Sequence, residues 1–178
     1  MKNHLVLLAV LFFSTAAFAQ STSTYTSTEI YEKLQKLQVL GSVLYVAAHP
    51  DDENTRMISY LANKEKFETT YLSLTRGDGG QNLIGPEIQE LLGVIRTQEL
   101  LAARRIDGGK QMFSRANDFG YSKNPTDTLK NWNEDEILAD VVWAIRKLQP
   151  YVIINRFSNV PNSRTHGHHT SSAILSTK

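Results

Sequence analysis

Short runs of apolar and β-branched residues along the chain predict buried strands. "SVLYVAA" (Ser42–Ala48) and "YVIIN" (Tyr151–Asn155) are continuous runs of the length expected for strands covered on both faces. "ETTYLSLT" (Glu68–Thr75) is also predicted to be a strand, and "KQMFSRA" to be a short one. Strands of this kind are typical of parallel sheets.

Between the strands, apolar residues recur at helical spacing. This pattern predicts helices at Thr28–Gln38, Glu53–Lys64, about Pro86–Ile106 and Glu134–Leu148, and a last helix from near Thr170. The turn-rich stretch "NDFGYSKNPTDT" is expected to be irregular. The alternation of strands and helices predicts an α/β sandwich around a mostly parallel sheet.

The two ends of the chain predict how it is processed. Residues 1–19 have a basic start, the apolar run Leu5–Phe13 and the small-residue pattern Ala17-Phe18-Ala19 of a secretory signal peptide. Cleavage after Ala19 is expected, which predicts a secreted or periplasmic protein without a stable membrane span. Residues 20–40 are predicted to form a linker and a short helix. Residues 41–178 form the main domain, which is expected to be truncated because "SSAILSTK" ends within a predicted helix.

Composition narrows the chemistry available to this domain. The chain of 178 residues has no cysteine, so it has neither disulfides nor thiolate metal ligands. A metal site must therefore use histidine and carboxylate. The formal net charge of +1 gives no bulk attraction to nucleic acid or to an anionic membrane.

The most polar segments each follow a predicted strand. "HPDDE" (His49–Glu53) follows the first strand, "RGDGGQN" follows the second, and the segment with "THGHHT" (Thr165–Thr170) follows the last. Because the carboxyl ends of parallel strands lie at one edge of a sheet, these segments are expected to meet there. Histidine and aspartate from the first segment, with a histidine from the last, would form a facial N/O/N site suited to catalytic zinc. One carboxylate would bind the metal and its neighbour would act as a base.

Two simpler interpretations stay open on the residues alone. Asp51, Asp52 and Glu53 would also suit the N-terminus of the following helix, where acidic side chains are favoured. The histidines of "HGHH" would also suit a solvated loop that binds metals adventitiously. The predicted convergence of both segments at one edge favours a metal site.

The motifs "AAHPDDE" and "THGHHTSSA", together with "TRGDGG" and "RTQEL", resemble the PIG-L/LmbE-like deacetylases. The resemblance runs from about Leu44 to the end of the chain. It implies a Rossmann-like three-layer α/β sandwich and a zinc-dependent enzyme that acts on N-acetylglucosamine-type amides. At His168 many members of the family carry aspartate instead.

The resemblance also implies a role for each site residue. His49, Asp52 and His169 would bind zinc, and the same ligands would accept other divalent transition metals. Asp51 would be the general base, and His166 would stabilise the oxyanion or act as an acid. Arg96 and Asp118 would bind substrate. Among the three histidines of "HGHH", replacement of His168 is expected to have the mildest effect.

These observations predict a secreted zinc-dependent hydrolase that removes an N-acetyl group from an amino sugar or a related linear amide. The alternative is a module that binds sugar through the same metal pocket without catalysing a reaction. Zinc content measured together with acetate release would distinguish the two functions.

Overall fold

The computed structural model of the protein describes residues 24–161 and 165–178, so the predicted signal peptide lies outside the described residues. The chain divides into two units, residues 1–35 and 36–178. Helix α1 (Ser27–Lys36) confirms the first predicted helix. At its start the Thr26 amide donates to the Glu29 carboxylate (2.7 Å) and the Glu29 amide donates to the Thr26 hydroxyl (3.2 Å), which forms a capping box.

The second unit is built on a four-stranded sheet in which all strands are parallel, in the order β3-β2-β1-β4. All four strands were predicted, but β4 is an edge strand that is exposed at Val152 and half-buried beyond it, so the expected burial on both faces is wrong for β4. In β1 successive side chains point to opposite faces of the sheet and all but the first residue are buried, which confirms a strand covered on both faces. The strands are β1 (Ser42–Ala47), β2 (Glu68–Ser73), β3 (Lys110–Phe113) and β4 (Val152–Asn155).

Helices cover both faces of this sheet and give a three-layer sandwich. On one face Leu44 and Val46 pack with Trp132 and Val141. On the other face Tyr45 packs with residues of two further helices. The remaining helices are α2 (Thr55–Ser59, continued by a π-helical turn at Tyr60–Lys64), α3 (Glu90–Asp107), α4 (Pro125–Trp132), α5 (Glu134–Leu148) and α6 (Gly167–Thr177).

Several helices start at positions other than those predicted, and α3 and α2 both start later. Helix α3 begins at Glu90 and not near Pro86, because the side-chain oxygen of Asn82 accepts hydrogen bonds from the amides of Ile84 (3.0 Å) and Gly85 (3.2 Å). That turn keeps the segment before the helix out of helical geometry. Helix α2 begins at Thr55 and not at Glu53, because Asn54 is its N-cap.

The prediction of irregular structure over residues 117–128 is wrong at its end, where α4 begins. The Asn124 side chain accepts from the Asp127 amide (3.0 Å) and Pro125 occupies the first turn, a strong combination for starting a helix. Helix α6 begins at Gly167, earlier than the expected Thr170. Its N-cap is His166, whose Nδ1 accepts from the His168 amide (3.0 Å).

The strand registers bring the polar segments to one edge. Ala47 of β1 pairs with Ser73 of β2, and Val46 pairs with Asn155 of β4. The segments that follow these three strands therefore start at the same level, as predicted. Among the residues described, none belongs to a helix that is both long and apolar enough to cross a bilayer.

Candidate metal centre and active site

All seven predicted site residues line one open pocket of about 510 Å³ at the carboxyl edge of the sheet. They come from four parts of the fold: the segment after β1, helix α3, the segment after β3, and the start of α6. The structure therefore brings the predicted residues together, while their roles stay predictions. The seven are His49, Asp51, Asp52, Arg96, Asp118, His166 and His169.

The predicted ligands form a compact donor set. Asp52 Oδ2 lies 3.2 Å from His49 Nδ1, and Asp52 Oδ1 lies 3.4 Å from His169 Nε2. Two ligands of a tetrahedral site with bonds of ~2.1 Å are separated by roughly 3.4 Å, so these spacings fit one zinc ion. The His49 amide also donates to Asp52 Oδ2 (2.8 Å), which fixes the carboxylate between the two imidazoles.

Burial and neighbouring charges shift the pKa values of two of these donors, His169 and Asp52. Burial lowers the pKa of His169 to about 4, against an opposing effect of the Asp52 carboxylate. Burial acts to raise the pKa of Asp52, but hydrogen bonding and charge from His49 lower it overall. At neutral pH both groups therefore have the protonation state that metal binding requires.

His168 contacts the predicted ligand His49 at the ring nitrogen that would not bind the metal. His168 is fully buried, and its Nδ1 lies 2.8 Å from His49 Nε2. If His49 binds a metal through Nδ1, its Nε2 carries the proton and donates to His168. The His168 proton then lies on Nε2, the one buried side-chain polar atom that has no hydrogen-bond partner in the described part of the chain. The tautomers are thus consistent with metal binding at His49 Nδ1.

The expectation that His168 matters least does not agree with this structure. Its ring packs against Phe119 (centroids 4.4 Å apart) and Trp132 (4.8 Å), and burial lowers its pKa to about 2. The sequence could not reveal this, because His168 would lie in a loop if α6 began at Thr170. The earlier start of α6 turns the side chain inward.

We expect His168→Ala to destabilise the fold and to weaken zinc binding by roughly 10- to 100-fold, the usual cost of removing a partner of a metal ligand. The matched control is His166→Ala, which removes a partly exposed ring from the same helix start. Zinc titration and thermal melting of both variants test this. Unchanged zinc affinity in His168→Ala would contradict the supporting role.

A second set of donors also lies close together: His49, His166 and His168 have ring nitrogens within 4.8 Å of one another. Their nitrogens already bond within the protein, since His168 Nδ1 pairs with His49 and His166 Nδ1 accepts from the His168 amide. His168 is also absent from the pocket lining. The set that includes Asp52 and His169 is therefore the better metal site.

His166 lies at the pocket with both of its ring nitrogens next to backbone donors. Its Nδ1 accepts from the His168 amide (3.0 Å), and its Nε2 accepts from the Ser122 amide at the longer distance of 3.3 Å. Because a neutral imidazole accepts at one nitrogen only, His166 can donate from Nε2 only when the contact with Ser122 is released. Burial and the neighbouring His49 lower the pKa of His166.

Asp51 differs from its neighbour Asp52 in exposure and in partners. Its side chain is 69% exposed, and its Oδ2 accepts from Arg96 Nη2 (3.0 Å), which also donates to the Pro50 carbonyl (2.7 Å). Neither aspartate caps α2, because Asn54 does so. The structure therefore contradicts the helix-cap interpretation of the acidic cluster.

The two predicted substrate residues also have partners within the protein. Arg96 pairs with Asp51, while Asp118 is buried with its carboxylate 3.7 Å from His168 Nδ1 and 4.0 Å from His49 Nε2. Substrate binding by either residue stays a prediction. The glycine-rich segment packs closely against the Asp118 backbone, since a Cβ at Gly79 would lie only 2.3 Å from the Asp118 carbonyl oxygen.

Two aromatic residues of the site were not identified from the sequence. Phe157 stacks in parallel on the His169 ring (centroids 3.8 Å apart), and Tyr71 donates from its hydroxyl to the His49 carbonyl. A tyrosine in a buried strand needs a partner for its hydroxyl, so the sequence signals a contact at Tyr71 but not that the partner is His49. No sequence signal distinguishes Phe157.

The profile of the PIG-L family, described as GlcNAc-PI de-N-acetylase, matches residues 44–177. The chain belongs to the PIG-L family. The match covers most of the chain, including every predicted site residue and all of the strands except the first two residues of β1. No curated protein sequence matches the chain.

Solved structures share the fold at low identity. N,N'-diacetylchitobiose deacetylase from Pyrococcus horikoshii is 20% identical with a TM-score of 0.59, over 86% of this chain and 58% of that one. The 4-carboxy-2-hydroxymuconate hydratase GalB from Pseudomonas putida is 20% identical with a TM-score of 0.60, over 78% and 55%. The conserved protein TT1542 from Thermus thermophilus is 26% identical with a TM-score of 0.50, over 78% and 54%.

The chain therefore spans somewhat more than half the length of these structures. A deacetylase and a hydratase share its fold, so the fold alone does not select the reaction. Any functional proposal must therefore rest on the family and on the donor set at the pocket.

Proposed function

We propose that the protein is a zinc-dependent hydrolase that removes an N-acetyl group from an amino sugar or a related linear amide. The observation that carries this proposal is the pocket where a histidine–aspartate–histidine donor set adjoins Asp51 and His166. Membership of the PIG-L family supports an amide as the substrate.

The donor set suits a catalytic metal because one side of it faces the open pocket. His49, Asp52 and His169 supply three ligands, which leaves a position for substrate or water, as catalytic zinc sites require. A divalent ion held there would supply Lewis acidity toward the amide carbonyl and toward water.

Asp51 and His166 divide the proton transfers. Asp51 accepts a proton from a water molecule as the oxygen of that water forms a bond to the acetyl carbon. His166 donates a hydrogen bond from Nε2 to the developing oxyanion once the contact of Nε2 with the Ser122 amide is released. The C–N bond then breaks as the nitrogen receives a proton from Asp51 or His166, which leaves acetate and a free amine.

Arg96 and Asp118 are proposed to bind hydroxyl groups of the sugar. Both side chains line the same pocket as the ligands, together with Gly79 and Gly80. The Arg96 guanidinium has further N–H groups beyond those bonded to Pro50 and Asp51. These donors are suited to sugar oxygens.

Export from the cytoplasm is also part of the proposal. It rests on the N-terminal pattern of residues 1–19, which has the three regions of a secretory signal. N-terminal sequencing of the mature protein is expected to begin at Gln20. A mature protein that begins at Met1 in the cytoplasm would contradict export.

Acetate release from a panel of N-acetylated amino sugars tests the proposed function. The zinc-loaded protein should release acetate from at least one of them, and heat-denatured protein serves as the control. Binding of a sugar by the zinc-loaded protein without acetate release would favour the non-catalytic module instead.

A further inference from the structure

A cluster of buried charged side chains lies beneath the segment that carries Asp51. The side chains of Arg104, Asp107 and Glu53 are only 4%, 7% and 7% exposed. Arg104 and Asp107 come from the C-terminal end of α3, and Glu53 is the last acid of "HPDDE". The cluster lies outside the set of seven site residues.

Arg104 is held firmly within this cluster. Its Nε and Nη2 both donate to Asp107 Oδ2, at 3.0 and 2.6 Å, and Nε also approaches Oδ1 (3.2 Å). Asp107 in turn accepts from the Gly109 amide (2.9 Å). The guanidinium therefore has one orientation, in which Nη2 also lies 3.4 Å from Glu53 Oε1.

The other oxygen of Glu53 reaches the backbone of Asp51. Glu53 Oε2 accepts from the Asp51 amide at 2.9 Å. Asp51 has a φ of +98°, a conformation that a residue with a side chain rarely adopts. Such a conformation persists only where the surroundings hold it, and the hydrogen bond from the Asp51 amide to the Glu53 carboxylate is one contact that does so.

Glu53 has no competing role at the helix that follows. Asn54 caps α2, its side chain accepting from the Met57 amide (3.1 Å). Buried ion pairs also add little net stability, because the cost of removing charges from water offsets their attraction. Through Glu53 the cluster is connected to the backbone of Asp51.

Arg104 also contacts Tyr71, which supports the predicted metal ligand His49. Its guanidinium carbon lies 5.4 Å from the centre of the Tyr71 ring, and the Tyr71 hydroxyl donates to the His49 carbonyl. Burial raises the pKa of Tyr71 well above its usual value, so this hydroxyl stays a donor. One buried arginine thus contacts the supports of both His49 and Asp51.

We propose that Glu53, held by Arg104, is a positioning residue that fixes the strained backbone of Asp51 and so aims its carboxylate at the reacting water. The inference rests on the proposed function, in which Asp51 is the general base. Glu53 acts through Asp51 and contacts neither the metal site nor the substrate pocket, since it is absent from both sets of lining residues.

Glu53→Gln is the decisive variant. An amide has one accepting oxygen, so it can serve the Asp51 amide or Arg104 but not both. We expect kcat to fall by roughly 10- to 100-fold, the effect of a displacement of about 1 Å at a catalytic group. KM and zinc content should stay unchanged, and the Asp51 amide should lose protection from hydrogen exchange. Glu136→Gln, the same change at an exposed position of α5, is the control.

Two further variants distinguish positioning from general stability. Arg104→Lys keeps the charge but cannot hold Asp107 and Glu53 through one planar group, so it should lower kcat in the same way. It also serves if Glu53→Gln does not fold. In the Asp51→Asn background, Glu53→Gln should cause little further loss of kcat, because the residue through which it acts is already disabled.

The outcomes separate the inference from the function on which it rests. The positioning role alone would be overturned if the wild-type protein is active and Glu53→Gln keeps both a normal kcat and a protected Asp51 amide. A loss of kcat that is equally large in the Asp51→Asn background would also overturn it. A wild-type protein that releases no acetate from any N-acetyl sugar would overturn the proposed function and the inference together.

Discussion

Asp51→Asn is expected to slow acetate release by roughly 10²- to 10⁴-fold, the usual contribution of a positioned general base. Asparagine keeps the size of the side chain and can still accept from Arg96, but it cannot take up a proton. Zinc content should stay nearly full, because the Asp51 side chain is 69% exposed and lies outside the donor set. Steady-state kinetics and metal analysis on the same preparation measure both quantities.

Asp135→Asn is the control for this variant, since it makes the same chemical change at an exposed residue in the first turn of α5. It should have normal kcat and normal zinc content. Excess zinc should not restore activity to Asp51→Asn. If Asp51→Asn bound zinc and released acetate at the normal rate, Asp51 would not be the base.

His169→Ala is expected to lose zinc more severely than the roughly 10- to 100-fold that changes outside a ligand set cause. The substitution removes one of the three donors, and Nε2 of this ring lies 3.4 Å from the Asp52 carboxylate. Acetate release should fall with the zinc content. A large excess of zinc should restore part of the rate, because Asp51 and His166 remain in place.

His166→Ala makes the same chemical change three residues away and should behave differently. It should keep zinc, because His166 is not in the donor set with Asp52, yet it should lower kcat through loss of the oxyanion donor. Zinc titration of the two variants separates the roles. Equal loss of zinc in both would favour an adventitious histidine cluster.

The sheet could be predicted because its strands are signalled locally. Runs such as "SVLYVAA" are apolar throughout, and a parallel strand covered on both faces needs no other pattern. The placement of the polar segments at the carboxyl ends of the strands then predicted that these segments meet at one edge, whereas the order of the strands was not predicted. Helix α5, with its apolar stripe and terminating Pro150, was predicted with the bounds that the structure shows.

Helix starts were harder to predict because side chains of unusual capping residues determine them. The turn around Asn82 shifts the start of α3 toward the C-terminus of the chain. Asn124 and Pro125 start α4 within a stretch rich in turn residues. At α6 the cap is His166, a residue that is not among the favoured N-caps. That one misplaced boundary is why the burial of His168 could not be predicted.

The residues of the candidate site could be predicted because histidine and aspartate are rare in apolar surroundings and carry a motif. Their supports could not, because a buried arginine and a tyrosine in a strand have ordinary structural roles in most proteins. A role at the site can be assigned to Arg104 and Tyr71 only from their distances to Glu53 and His49. Those distances depend on the packing of α3 against the sheet.

Zinc titration into metal-depleted protein, with acetate release from an N-acetylated amino sugar as the readout, tests the central claim most directly. Zinc binding and activity should rise together and saturate at one zinc per protein, as one His49–Asp52–His169 donor set requires. Acetate release that is complete without zinc, or that is absent when one zinc is bound, would contradict a metal-dependent deacetylase.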